Sequence, residues 1–203
     1  MRTFFSSNRI KTDITGQIGI SLSGRGITFA YVTDDQNKKQ LTHLLHCDGR
    51  LEEQQAFLKE KIASLNLHGA PATVVLQEQD YQVFLVEEPQ VPESEKPNAL
   101  RWLIAEYIDF PIEEAIVDYI ELPQKQNTEN PGMLYVVVTK KHKVDETIFW
   151  INASGLKVKS IDICQNALRQ IALQLENAEE GQALLHLEEE KSHLLIFKNK
   201  TLY

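Results

Sequence analysis

Hydrophobic and polar positions along the chain follow two periods, one of two residues and one near 3.6 residues. The shorter period, in runs rich in β-branched and aromatic residues, predicts strands at 17–22, 26–32, 40–47, 73–76, 81–86, 115–122, 133–138, 158–163, 183–187 and 193–197. The longer period predicts helices after Asp48, from Pro97 to about Asp109, between Thr139 and Gly155, and over 166–175. The pattern therefore predicts a mixed α+β or α/β fold.

The stretch from Leu100 to Tyr119 carries the clearest pattern. Its first half has one apolar stripe at helical spacing, formed by Leu100, Leu103, Ile104, Tyr107 and Ile108. Pro111 has no N–H and disfavours helix at the residue before it, so the helix is predicted to end near Asp109. Trp102 is about 100° of helical rotation from Leu103, which predicts a position on the helix flank, on the same side as Glu106.

The order of the predicted elements indicates two subdomains. Between Tyr81 and Ile163 it runs strand, helix, strand, strand, helix, strand, which is the order of a ferredoxin-like unit. Segments rich in predicted strands lie on both sides of it. We therefore predict a split outer subdomain made of residues 1–80 and 164–203, with residues 81–163 inserted as a second subdomain.

Charge and composition exclude several classes of function. The formal net charge of −8 argues against nucleic acid as the main partner, because phosphate binding needs a basic face. No window approaches eighteen apolar residues, and the N-terminus lacks the apolar core of a signal peptide, so no membrane insertion by this segment is expected. Cys47 and Cys164 are too few for a disulfide framework and fit a reducing cytoplasm.

The central stretch resembles the PilM family of cytoplasmic pilus-assembly proteins. The resemblance rests on a Trp-bearing helix, an aromatic-Pro turn, acidic residues and an Asp-Tyr pair: Arg101-Trp102, Glu106, Tyr107-Ile108, Phe110-Pro111, Glu113-Glu114-Ala115 and Asp118-Tyr119. It resumes from Leu134 to Ala172. The resemblance implies the first lobe of an actin-like (ribonuclease H-like) fold related to FtsA, with a second subdomain inserted into it. It also implies a place on the cytoplasmic face of the bacterial inner membrane.

Members of that family bind the short tail of a PilN-type bitopic membrane protein, and they also contact the pilus assembly ATPase. The resemblance thus implies a scaffold with these partners, whose tail-binding groove lies between the two subdomains. An extended tail would add backbone hydrogen bonds and place alternate side chains in pockets. The candidate partner-binding residues are Phe84, Val86, Trp102, Glu106 and Phe110.

The positions that match the phosphate hairpins of actin-like ATPases have lost their usual residues. In the first hairpin, Gly19 and Gly24 remain, but Ser21 stands in place of the metal-associated Asp and Ser23 in place of a Gly. A hydroxyl cannot supply the anionic charge that Mg²⁺ favours. In the second hairpin, His186 replaces an Asp and Glu188 replaces a Gly. We therefore expect no nucleotide cofactor, no catalytic residue and no hydrolysis.

No metal site is expected either. His43 and His46 are an odd number of residues apart on a predicted strand, so their side chains point to opposite faces. His186 and His193 could face each other across the last hairpin, but a metal site needs further ligands in a set geometry.

Two alternatives to the pilus scaffold remain open. One is a working actin-like ATPase that binds Mg-ATP through a second lobe beyond residue 203. The other is the cytoplasmic domain of a GspL-like protein of type II secretion, which shares the actin-like arrangement.

Overall fold

The computed structural model describes residues 16–35, 38–123, 131–174, 181–187, 192–198 and 201–202. Its elements in chain order are β1 (Gln17–Leu22), β2 (Gly26–Asp35), β3 (Lys38–Asp48), α1 (Leu51–Ser64), β4 (Pro71–Val75), β5 (Tyr81–Glu87), α2 (Lys96–Ile104), β6 (Ala115–Glu121), β7 (Met133–Lys140), α3 (Lys141–Ala153), β8 (Lys157–Asp162), α4 (Cys164–Ala172), β9 (Gln182–Leu187), β10 (Ser192–Lys198) and β11 (Thr201–Leu202). None of the described helices combines the length and the apolar character needed to cross a membrane.

The chain divides into two compact units. The first comprises Met1–Asp80 and His142–Cys164, and the second comprises Tyr81–Lys141 and Gln165–Tyr203. The subdomain boundaries predicted from the sequence stay a prediction.

A five-stranded sheet in the order β3-β2-β1-β4-β8 forms the first unit. The first three strands are antiparallel, whereas β4 runs parallel to β1 and β8 runs parallel to β4. Parallel neighbours need a crossover connection, and α1 lies in the connection that leads from β3 to β4. Apolar side chains from the sheet, α1 and α3 form one core that includes Ile18, Ile20, Ile27, Phe29, Leu58, Ile62, Ala72, Val74, Trp150 and Ile151.

The second unit contains two antiparallel three-stranded sheets. In one, β7 is the central strand between β5 and β6, and α2 covers one face. The core under α2 is formed by Val86, Leu100, Ile104, Ala115, Tyr119, Leu134, Val136 and Val138. In the other, β10 pairs with both β9 and β11.

The sequence placed two helix ends incorrectly. Helix α1 begins at Leu51 with Arg50 as its N-cap, two residues later than a helix directly after Asp48, and the Arg50 N–H donates to the Glu53 carboxylate at 2.6 Å. Helix α2 ends at Ile104 rather than near Asp109, because the Tyr107 N–H turns back to the Ile104 carbonyl at 2.9 Å and starts a tighter turn. The predicted stop after α3 is confirmed, since Gly155 has φ of +105°, which favours glycine.

Strand β8 is the main difference from the predicted ferredoxin-like order. It pairs with β4 in the five-stranded sheet and not with β5, β6 or β7. A hydrogen bond of 2.8 Å between the hydroxyls of Thr73 and Ser160 joins β4 to β8. Periodicity shows that a segment is a strand but not which strand it pairs with, so both pairings fit the same element order.

Candidate functional site

Strand β5 and helix α2 form the two long walls of a groove in the second unit. They run in opposite directions, because the start of α2 at Lys96 contacts Glu88 while the segment beyond its end, at Tyr107, contacts Phe84. The guanidinium of Arg101 donates to the carbonyls of Ala115 at 3.0 Å and Ile112 at 2.6 Å. These two bonds fix α2 against the start of β6 and hold the helix wall in place.

The groove has a volume of about 800 Å³, which is large enough for several side chains. It is lined mostly by apolar groups: Phe84, Leu85, Val86, Glu87, Glu88, Pro89, Gln90, Ala99, Leu103, Tyr107, Pro131 and Met133. The predicted partner-binding residues Phe84 and Val86 are both among them.

The outer edge of β5 borders the groove. Strand β5 is an edge strand, because within the described ranges only β7 pairs with it. An edge strand presents backbone N–H and C=O groups that can pair with another extended chain. The groove therefore offers both a hydrogen-bonding edge and an apolar wall.

Aromatic side chains form one end of the groove. The rings of Phe84 and Tyr107 lie with their centroids 5.9 Å apart, and Tyr107 is 59% exposed. Tyr107 belongs to the apolar stripe predicted at helical spacing, but α2 ends before this residue and the stripe does not continue to it. Leu100 and Ile104 of that stripe are fully buried as predicted. Tyr107 thus lines the groove, and Leu103 both lines the groove and packs against the core under α2.

Acidic side chains surround a buried lysine at the other end. The Lys96 ammonium lies 2.6 Å from both the Glu88 and Glu93 carboxylates and 3.6 Å from that of Glu121. Hydrogen bonds to Glu88 and then Glu93 raise the pKa of Lys96 above its ordinary value, against the effect of burial. The Tyr119 hydroxyl also donates to Glu93 at 3.1 Å. Sequence periodicity gave no signal for this cluster.

The other predicted partner-binding residues lie outside the groove lining. Trp102 is 75% exposed and follows the flank position predicted for it, next to the groove residue Leu103. Glu106 is exposed in the turn after α2. Phe110 is half-buried against the core under α2, with the Lys140 ammonium 4.9 Å above its ring. The groove thus contains two of the five predicted residues, and Trp102 lies beside it.

In the first unit, backbone amides of the turn between β1 and β2 donate hydrogen bonds to a side chain of the same turn. The Ser23 hydroxyl oxygen accepts the Gly26 N–H at 3.1 Å and the Arg25 N–H at 3.4 Å. Phosphate loops hold their ligand with backbone amides of this kind, and here two of them donate to the serine hydroxyl. Nothing lies within 4 Å of a side-chain carbon added at Gly24.

Of the remaining predicted phosphate positions, the three that the structure describes have no carboxylate. Gly19 and Ser21 are in β1, where Ser21 pairs with Thr28 of β2 and Val75 of β4. His186 is in β9 of the second unit, and its ring stacks on that of His193, 6.2 Å away. Glu188 lies outside the described residues. The site assignments at these positions stay predictions.

The two histidines of β3 point to opposite faces, as their spacing predicts. The His43 ring stacks against that of Tyr31 at 6.2 Å. The His46 ring bonds instead to the Thr28 hydroxyl at 2.8 Å and to the Asp48 carboxylate at 3.1 Å.

Comparison with known proteins shows the fold. No family model matches the chain, and no curated protein matches it. Among solved structures, a chain of a PilM-PilN type IV pilus biogenesis complex is similar over 92% of this chain, with a TM-score of 0.72 and 16% identity. The cytoplasmic domain of EpsL, an inner-membrane component of the type II secretion system of Vibrio cholerae, is similar over 92%, with a TM-score of 0.62 and 15% identity.

These similarities confirm the predicted mixed α/β, actin-like fold. The chain spans 59% of the matched PilM-PilN chain and 69% of the matched EpsL chain.

Proposed function

We propose that the chain is a scaffold domain of an inner-membrane complex that assembles a type IV pilus. The fold similarity to the PilM-PilN complex and to EpsL supports a role of this general type. Within that type, we propose an MSHA pilus protein similar to MshI, located on the cytoplasmic face of the membrane. Its partners would be the cytoplasmic tail of a PilN-type membrane protein and the pilus assembly ATPase.

The groove between β5 and α2 is the observation that carries this proposal. On one side of the groove is β5, an edge strand that pairs only with β7 among the described residues. On the other side is an apolar wall. An extended tail would hydrogen-bond to the β5 edge and insert alternate side chains between Phe84, Leu103 and Tyr107. This placement departs from the groove between two subdomains that the family resemblance implies.

The similarity to EpsL also favours a second candidate. In that case the chain would be a cytoplasmic domain of type II secretion, with the tail of another membrane component in the same groove. Binding of synthetic tails from both systems, measured side by side, separates the two candidates. The tail with the lower Kd identifies the system.

We also infer that the protein does not hydrolyse nucleotide. The Ser23 hydroxyl occupies the turn amides, and Ser21 offers no charge to a metal. Isothermal calorimetry with Mg-ATP should give no binding in the micromolar range, and the protein should release no phosphate above a buffer control. A micromolar Kd would contradict this inference and favour the alternative of a working ATPase.

Replacement of the exposed tryptophan beside the groove tests tail binding. Trp102→Ala should weaken binding of a fluorescent PilN-type tail about thirtyfold, because truncation of an interface Trp costs about 2 kcal/mol or more. The thermal midpoint should change little, since the side chain is 75% exposed. Fluorescence anisotropy and thermal unfolding measure the two effects separately.

Phe149→Ala is the matched control for this experiment. Phe149 is an aromatic residue on α3 in the first unit, and at 77% it is exposed to the same degree. The control should bind the tail as wild type does. If Trp102→Ala also binds like wild type, Trp102 is not part of the tail site. If no tail binds the wild-type protein, the proposed function is wrong.

A further inference from the structure

The groove has two chemically different ends, which limits what it can bind. The Phe84 and Tyr107 rings form the aromatic end, and Leu103 lies between them and the acidic end. At the acidic end the groove shares Glu88, Pro89 and Gln90 with a second cavity of about 440 Å³. That cavity is lined in addition by Val91, Pro92, Glu93 and Lys96.

Carboxylates outnumber ammonium groups among the described residues of the acidic end. Within the described residues, one ammonium, that of Lys96, faces the three carboxylates of Glu88, Glu93 and Glu121. Glu87 lines the adjoining groove and is exposed. Glu93 and Glu121 are 63% and 60% exposed, so an incoming cation can reach them without displacing Lys96.

The distance between the two ends sets a spacing on the ligand. Phe84 and Glu88 are four residues apart, and an extended chain rises about 3.3 Å per residue, so the ends are roughly 13 Å apart along the β5 edge. A strand paired with that edge covers the same distance in four residues. Residues i and i+4 of a strand are on the same side, so both can point into the groove.

From this geometry we propose that the groove binds an extended peptide with an apolar side chain at one position and a lysine or arginine four residues away. The apolar side chain packs at Phe84 and Tyr107, and the cation enters the second cavity beside Glu93. This inference rests on the proposed function, because it specifies the ligand of the same groove.

Model peptides in a constant Gly/Ser host test the spacing. Each peptide carries one Leu at position i and one Lys at i+3, i+4 or i+5, and each spacing is made in both chain orders. Two further peptides replace the Lys at spacing four with Gln or with Glu. Spacing four should bind at least about tenfold more tightly than spacing three or five in one of the two orders, because odd spacings turn the Lys to the opposite side. Gln in place of Lys should cost about tenfold, and Glu should cost more.

A protein variant tests whether the preference for Lys over Gln in the peptide comes from the acidic end of the groove. In Glu93→Gln the advantage of Lys over Gln in the peptide should fall to about threefold or less, since one of the exposed carboxylates is gone. Glu113→Gln is the matched control: Glu113 is exposed in the same unit but does not line either cavity, and the full advantage should remain. Thermal unfolding of both variants checks that they are folded.

Two results would overturn the inference. In one, the three spacings bind equally in both orders. In the other, Glu93→Gln and Glu113→Gln reduce the Lys advantage alike, which would mean attraction to the net charge of −8 rather than to this site. Either can occur while a natural tail binds elsewhere on the protein, so the proposed function would survive. Conversely, binding of the model peptides without binding of any natural tail would leave the inference standing and end the proposed function.

Discussion

Lys96→Met should destabilise the protein by about 3 kcal/mol. The substitution removes the Lys96 ammonium from the acidic end of the groove, and it leaves the half-buried Glu88 carboxylate without its partner at 2.6 Å. Removal of one partner of a buried ion pair typically costs about 3–5 kcal/mol. We expect the low end, because water reaches the exposed Glu93 and Glu121 carboxylates. Urea unfolding gives the free energy, and the thermal midpoint should fall by roughly 6–12 °C.

The pH dependence gives a second check on the same residue. The pKa of Lys96 is raised in the folded state, so its stabilising contribution is complete below the usual lysine value of 10.5 and is lost only as the pH rises through the raised pKa. The difference between wild type and Lys96→Met should therefore be the same at about pH 7 and pH 9.

Lys61→Met serves as the control for charge removal. Lys61 pairs with Glu60 at 2.9 Å on the surface of α1, and the Glu60 side chain is 69% exposed. Exposed pairs contribute about 0–1 kcal/mol, so this variant should lose less than 1 kcal/mol. Equal losses for the two lysine variants would show that the Lys96 cluster is not a buried ion pair in solution.

Most elements could be predicted because each is set by a local pattern. Strand β1 has the predicted bounds, and β2 begins at Gly26 as predicted. Leu100 and Ile104 are buried as the 3.6-residue stripe predicts. Such features depend on residues close together in the sequence, and periodicity reports them directly.

The candidate site was less predictable because it depends on contacts between distant segments. The acidic end forms only when Glu88, Lys96 and Glu121 come together. Glu88 follows the end of β5, Lys96 is the first residue of α2, and Glu121 is the last residue of β6. Tyr107 fits the helical stripe in sequence but lies beyond the end of α2, so the ring faces the groove instead of the core. The pairing of β8 with β4 likewise cannot be predicted from a local pattern, because it depends on which distant strand β8 meets.

A second large effect is expected in the core under α2. Ile104 is fully buried there, and Ile104→Ala should cost about 3–4 kcal/mol because it removes buried methyl groups and leaves a cavity. Ile104→Val keeps most of the volume and should cost about 1 kcal/mol. Urea unfolding of the three proteins measures both differences. A loss below 1 kcal/mol for the alanine variant would mean that α2 does not pack on the sheet as described.

Variants at Ile104 and Tyr107 separate an effect on stability from an effect on peptide binding. Tyr107 is three residues beyond Ile104 but is 59% exposed on the groove side, so Tyr107→Ala should change the free energy of unfolding by less than about 1 kcal/mol. Its loss should weaken binding of the Leu-and-Lys peptide about tenfold or more, because the apolar end of the groove loses one of its two rings. Ile104→Val should bind that peptide as wild type does. If Tyr107→Ala lowers stability as much as Ile104→Ala and leaves peptide affinity unchanged, Tyr107 belongs to the core, and the aromatic end of the groove does not exist in solution.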